Sequence, residues 1–171
     1  MSFLARLFGT ADPREALRPL WDRVVEIARL PQWYTRGGVA DTMTGRFDVL
    51  TLVAALVVLR MERDADLQHQ IALLTELLIA DLDGQLREAG TGDVVMGKRM
   101  GKLMGVFGGR LDTYRTTLAI EGDEALIGAV SRNVTLTDGA DPAHVAREMR
   151  FIEGKLAALD SRSLLAGEIA T

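Results

Sequence analysis

Two histidines, a scatter of acids and no cysteine are what this chain offers to metal or nucleophile chemistry. His69 and His144 lie far apart, in no HExxH or Cys/His arrangement, and each reads as a solvated helix residue. The acids Asp81, Asp83, Glu88 and Asp93 suggest a cation loop. An EF-hand places its glycine three residues after the second acid, however, whereas Gly84 follows Asp83 directly. No Walker or dinucleotide glycine fingerprint occurs. With cysteine absent, disulfides, thiolate metal sites and cysteine nucleophiles are excluded, and a reducing compartment fits. The expectation is a binding protein with no catalytic residues, no metal and no cofactor.

Charge placement says more than its sum. Twenty Lys and Arg against 24 Asp and Glu leave a net charge of −4, so no global basic footprint points to nucleic acid, and DNA is not an expected partner. From Glu62 to Asp93 the acids 62, 64, 66, 76, 81, 83, 88 and 93 face only Arg63 and Arg87. From Val94 to Leu118 the balance reverses, with Lys98, Arg99, Lys102, Arg110 and Arg115 against Asp112. Either the two segments neutralise each other across a hairpin turning at Gly90 and Gly92, or the basic one docks on an anionic partner.

The basic segment also carries Gly97, Gly101, Gly105 and Gly109 at four-residue intervals, beside Met96, Met100 and Met104. An interior helix glycine costs about 1 kcal/mol relative to alanine, so such a row calls for compensation. Two sources are open: a crowded crossing inside the monomer, or an apolar floor for a helix of another protein. Methionines suit the second, because flexible thioethers repack around varied clients.

The elements that must position these residues are helices. Four prolines stand at 13, 19, 31 and 142, leaving Gln32 to Asp141 free of them. Asp12-Pro13-Arg14-Glu15 opens a helix through Leu17, Leu20, Trp21, Val24, Ile27 and Ala28, which Pro19 either kinks or truly starts. Val49 to Leu59 is an apolar run broken by Thr51 alone; at eleven residues it is too short to span a bilayer and reads as a buried core helix. Asp64 or Asp66 caps a third helix with Leu67, Ile71, Leu74, Leu78, Leu82 and Leu86 on its buried stripe. A fourth runs from near Asp93 towards Leu118, a short one follows Asp123, and Asp141-Pro142 opens the last. The fold expected is a single all-α domain, 1–171, of six or seven helices, with an N-terminal segment 1–12, a helical core 13–160 and a C-terminal tail 161–171. The opening MSFLARLF is too short for a signal sequence, although it could rest on a membrane as an amphipathic toe.

An ordered series runs through these segments: Asp41-Thr42, Gly45-Arg46-Phe47-Asp48, Arg60, Asp81-Leu-Asp83, Leu86-Arg87-Glu88, Gly90, Gly92-Asp93, Gly97-Lys98-Arg99, Gly109-Arg110 with Tyr114, and Arg132-Asn133. In order and spacing, from about Val24 to Asn133, it resembles the ubiquinol–cytochrome c chaperone family. The resemblance implies an assembly factor for the respiratory ubiquinol–cytochrome c reductase, acting with a small partner protein; mitochondrial relatives hold newly made cytochrome b near the ribosomal exit. With no transit-type start, a bacterial member is expected, in the cytoplasm or peripheral at the inner membrane. Two positions depart from the family pattern: Val53 stands where a histidine is usual, and Gly108 where an aromatic precedes Gly-Arg.

Under this reading, Arg46, Lys98, Arg99, Met100, Lys102, Met104, Arg110 and Tyr114 are the candidates for contacting cytochrome b, another respiratory-complex subunit or the ribosome. Asp41, Thr42, Asp48, Arg87, Glu88, Gly92 and Asp93 form the structural motif. Asp41 or Thr42 is expected to cap a helix, and Arg46 to pair with an acid of the 81–93 segment. An RNA- or ribosome-binding module using the basic helix and a small-molecule or haem-binding bundle remain open as alternatives.

Overall fold

A helix that is apolar on every side must be surrounded. In the computed structural model, which describes residues 12–88 and 93–171 (side chains of the second stretch from 97 onward), α3 (Met43–Glu62) is that helix. It is buried without a break from Val49 through Leu59. Around it pack α1 (Arg18–Ala28), α4 (Gln68–Glu88), α5 (Asp93–Leu118) and α7 (Pro142–Ala157). α6 (Glu124–Asn133) rests on α5 and α7; α2 (Gln32–Thr35) and α8 (Ser161–Leu165) are single turns. Among the described residues there is no strand, and Val39 and Leu136 form an isolated bridge. The chain is a single all-α domain.

Helix starts follow the capping residues. Asp12 accepts the Arg14 amide and leads a 3-10 turn over Pro13–Leu17; Pro19 then lies in the first turn of α1. Of the two readings of Pro19, the start is correct, since its missing N–H is one the helix could not have used there. Asp64, Asp141 and Asp160 accept the amides of Asp66, Ala143 and Ser163. Arginines and aromatics close the C-terminal ends, where free carbonyls need donors. Arg60 donates to the carbonyls of Leu156 in α7 and Leu159 just past it, and Arg150 to those of Leu118 at the end of α5 and of Ile120 and Gly122 beyond. Trp33 Nε1 donates to the Ile27 carbonyl at 2.8 Å, and so holds α2 under the end of α1.

Residues 161–171, read above as a tail, hold packed structure. Leu164 and Ile169 are buried, and Arg23 of α1 donates twice to the Ile169 carbonyl. The MSFLARLF segment and the Gly90–Gly92 turn lie outside the described residues.

One glycine position is sterically required at the entrance to α3. A Cβ on Gly45 would stand 1.9 Å from the Ala40 carbonyl oxygen, because the chain doubles back there to let Thr42 Oγ1 accept the Gly45 amide at 3.2 Å. The expected cap is therefore Thr42. Gly45→Ala is expected to lower stability by about 1–3 kcal/mol or more, read as a shift of the urea midpoint. Gly105→Ala on α5, where a Cβ meets nothing within 4 Å, should raise it by up to about 1 kcal/mol.

Candidate functional site

Asp48 enters the apolar stretch of α3 as a charge, and the structure gathers four segments to satisfy it. Arg110 of α5 donates Nη2 to Asp48 Oδ1 at 2.5 Å and Nη1 to Thr51 Oγ1 at 2.6 Å. The same Nη2 reaches the Asn133 carbonyl at the end of α6, at 2.7 Å. Thr135, two residues further on, donates its amide and hydroxyl to Asp48 Oδ2 at 2.8 and 2.7 Å. The guanidinium also lies 5.3 Å from the centroid of the Phe47 ring. Asp48 is 2% exposed and Arg110 7%, so the pair is held in a low-dielectric interior. Tyr114, one turn along, is fully buried with its hydroxyl unpartnered, and burial pushes its pKa up to about 12.

The opposite face of α5 is open. A Cβ built on Gly97, Gly101, Gly105, Gly108 or Gly109 meets nothing within 4 Å. At 100° per residue these glycines share the face turned away from Phe107, Arg110 and Tyr114. Met100 and Met104 flank the row half-buried against the core, and Lys98 and Lys102 flank it exposed, without an ion pair among the described residues. Among the described residues, then, no crowded crossing accounts for these glycines.

Two adjoining depressions form a trough along α3 and α4, of which only the smaller borders α5. One part, of about 330 Å³, is lined by Met43, Phe47, Leu82, Leu86, Leu103 and Val106. The other, of about 620 Å³, lies between the end of α1, α2 and the entrance of α3. The two share Met43 and Gln85. Arg46 stands at the mouth of the larger part, bound to Asp41 at 2.7 Å in an exposed pair that holds the Asp41 carboxyl below its usual range. This corrects the expected pairing with the 81–93 segment: Asp41, five residues back on the doubled chain, is nearer.

The charge cancellation expected between the acidic segment 62–93 and the basic one is met in part among the described residues. α4 and α5 pack on each other and Arg115 of the basic segment pairs with Glu62 of the acidic one, whereas Arg110 goes to Asp48, ahead of that segment. In α4, Arg87 pairs with Asp83 of its own helix and Glu88 is exposed. Of the eight candidate contact residues, Arg46, Lys98, Arg99 and Lys102 are exposed and Met100 and Met104 half-buried. Arg110 and Tyr114 are buried on the inward face of α5; Arg110 borders the trough only as part of its wall. Asp48 joins Arg110, whereas the side chain of Asp93 and Gly92 lie outside the described residues. Thr51, Thr135, Met43 and Val106 were not singled out. Thr51 had a signal, as the polar interruption of an apolar run; Thr135 had none. His69 and His144 are exposed, with His144 Nδ1 2.8 Å from Arg147, and no three potential metal ligands converge among the described residues.

The ubiquinol–cytochrome c chaperone family model matches residues 35–171. The chain belongs to this family. The chaperone match thus extends past Asn133, where the motif series ended, and takes in α7 and α8. A crystal structure of the Cbp3 homolog from Brucella abortus superposes with a TM-score of 0.80 at 26% identity, covering 98% of this chain and 96% of that one. No curated protein sequence matches the chain significantly. Membership in a chaperone family for ubiquinol–cytochrome c reductase implies binding rather than catalysis. No helix among the described residues is long and apolar enough to cross a membrane.

Removing one partner of the buried pair leaves the other charge uncompensated. Asp48→Asn or Arg110→Met should each lose about 3–5 kcal/mol in urea unfolding. The double variant should lose clearly less than the two together, because neither charge is then stranded. At high pH the unfolded Tyr114 phenol ionises near 10, whereas the folded one keeps its proton to about 12. The unfolded state then binds fewer protons, so stability should fall by about 2–3 kcal/mol as pH rises from 10 to 12. Tyr114→Phe should remove that loss at little expense in stability at neutral pH, since no hydrogen bond is broken.

Proposed function

We propose that this chaperone holds newly made cytochrome b during assembly of the reductase, and that the open face of α5 is the holding surface. The observation that carries this reading is the row of glycines with nothing against it among the described residues. Those glycines lower helix stability by about 1 kcal/mol each and gain no close contact in return among the described residues. A polytopic apolar client supplies the missing contact, since small residues let a second helix backbone approach closely. Met100 and Met104 on one side of the row give adjustable apolar contact; Lys98 and Lys102 on the other suit acidic loops of the client.

The test is capture of cytochrome b from native membranes by the purified chain and by the Gly101→Leu/Gly105→Leu variant. Leucine at these positions points into open space, so the melting temperature should not fall. Capture should drop at least about tenfold, the equivalent of roughly 1.4 kcal/mol. A variant that captures cytochrome b as well as the parent chain defeats the proposal. Binding that instead follows added RNA and weakens steeply with salt would assign the basic face to a nucleic-acid partner.

A further inference from the structure

The trough along α3 and α4 differs in character from the glycine face, and its chemistry names what fits it. Its floor is apolar, with Leu50 and Val25 in the larger part and Phe47, Leu82 and Leu103 in the smaller. Its rim carries both signs. Arg29, at the end of α1, is exposed and holds no ion pair among the described residues; Asp81 is half-buried and accepts from Gln85 at 2.9 Å. Met43, 64% exposed, stands between the two parts as a flexible sill.

We infer that this trough receives an amphipathic helical segment of the client, apolar face down and charged residues at the rim, and not one of its membrane-spanning helices. The inference rests on the reading that cytochrome b is the client. Size and charge both support it. A helix about 10–12 Å across and 5.4 Å per turn fills on the order of 500 Å³ per turn, so depressions of about 620 and 330 Å³ seat a few turns by one face. A membrane span of about 20 residues, apolar all round, would leave most of its surface in water. It would also press hydrocarbon against the Arg29 and Asp81 charges, whereas an amphipathic segment meets them with charges of its own.

A photoreactive phenylalanine in place of Met43, in the full chain produced together with cytochrome b, tests the assignment. Crosslinked peptides are expected from amphipathic segments outside the membrane; crosslinks within spanning helices overturn it. If the folded variant and its parent both recover no cytochrome b, the proposed client is wrong. A synthetic amphipathic peptide of about 14 residues, four turns, then decides the trough chemistry alone. It should bind at least about tenfold more tightly than its scrambled sequence. Arg29→Glu should weaken binding of a peptide with glutamate at the rim by about threefold and spare its lysine counterpart, as befits an exposed ion pair. Equal binding of the amphipathic and scrambled peptides overturns the inference.

Discussion

An ionised carboxylate at the threshold of an apolar helix is tolerable only if its charge and its lone pairs are met on the spot. Asp48 is such a group, and meeting it organises the molecule. Arg110 supplies the charge, but its second nitrogen and the other carboxylate oxygen need further partners, found in Thr51, the Asn133 carbonyl and Thr135. One ionised group thereby fixes α3 against α5, the end of α6 and the segment entering α7. The wall of the trough follows from it. Phe47 lies under the guanidinium because Arg110 is drawn inward, and α5 keeps its azimuth because rotating it would strand a charge. The glycine face is open for the same reason, as the side of α5 turned away from this anchor.

α5 thus divides its tasks by face. Phe107, Arg110, Tyr114 and Leu118 secure the helix to the core, so the face with the glycines need not contribute to folding. The fold supports this from elsewhere, through an α3 buried along its whole middle and arginines that satisfy the carbonyl ends of α5 and α7.

Much of this was legible in the chain. The apolar run of α3, the caps at Asp12, Asp64 and Asp141 and the stripe of α4 are local patterns, and local patterns survive tertiary context. Charge pairing was legible only in part, because it depends on what lies across a packed interface, not on sums along a segment: Arg115 found Glu62, but Arg110 found Asp48 and Arg46 a neighbour on its own loop. α2 escaped notice because a single turn has no period to show, and its structure comes from Trp33 reaching back to Ile27. The glycine row was visible as a row, but that a Cβ there would meet open space among the described residues is a matter of tertiary packing, which no spacing along the chain shows. Val53, where the family pattern favours histidine, is wholly buried in α3; its side chain packs and offers nothing to a ligand.

The clasp between Arg23 and the Ile169 carbonyl joins residues 146 positions apart. With Gly167 seated so close that a Cβ would lie 2.7 Å from the Pro19 carbonyl oxygen, it gives α1 a neighbour made near the other end of the sequence. On the ribosome, α1 emerges long before that neighbour exists, and its apolar face, with Leu20 and Val24, has to wait for it. A protein whose own work is to keep another chain from misassembling therefore passes through an unfinished state of its own, in which contacts of such long range close last and slowest.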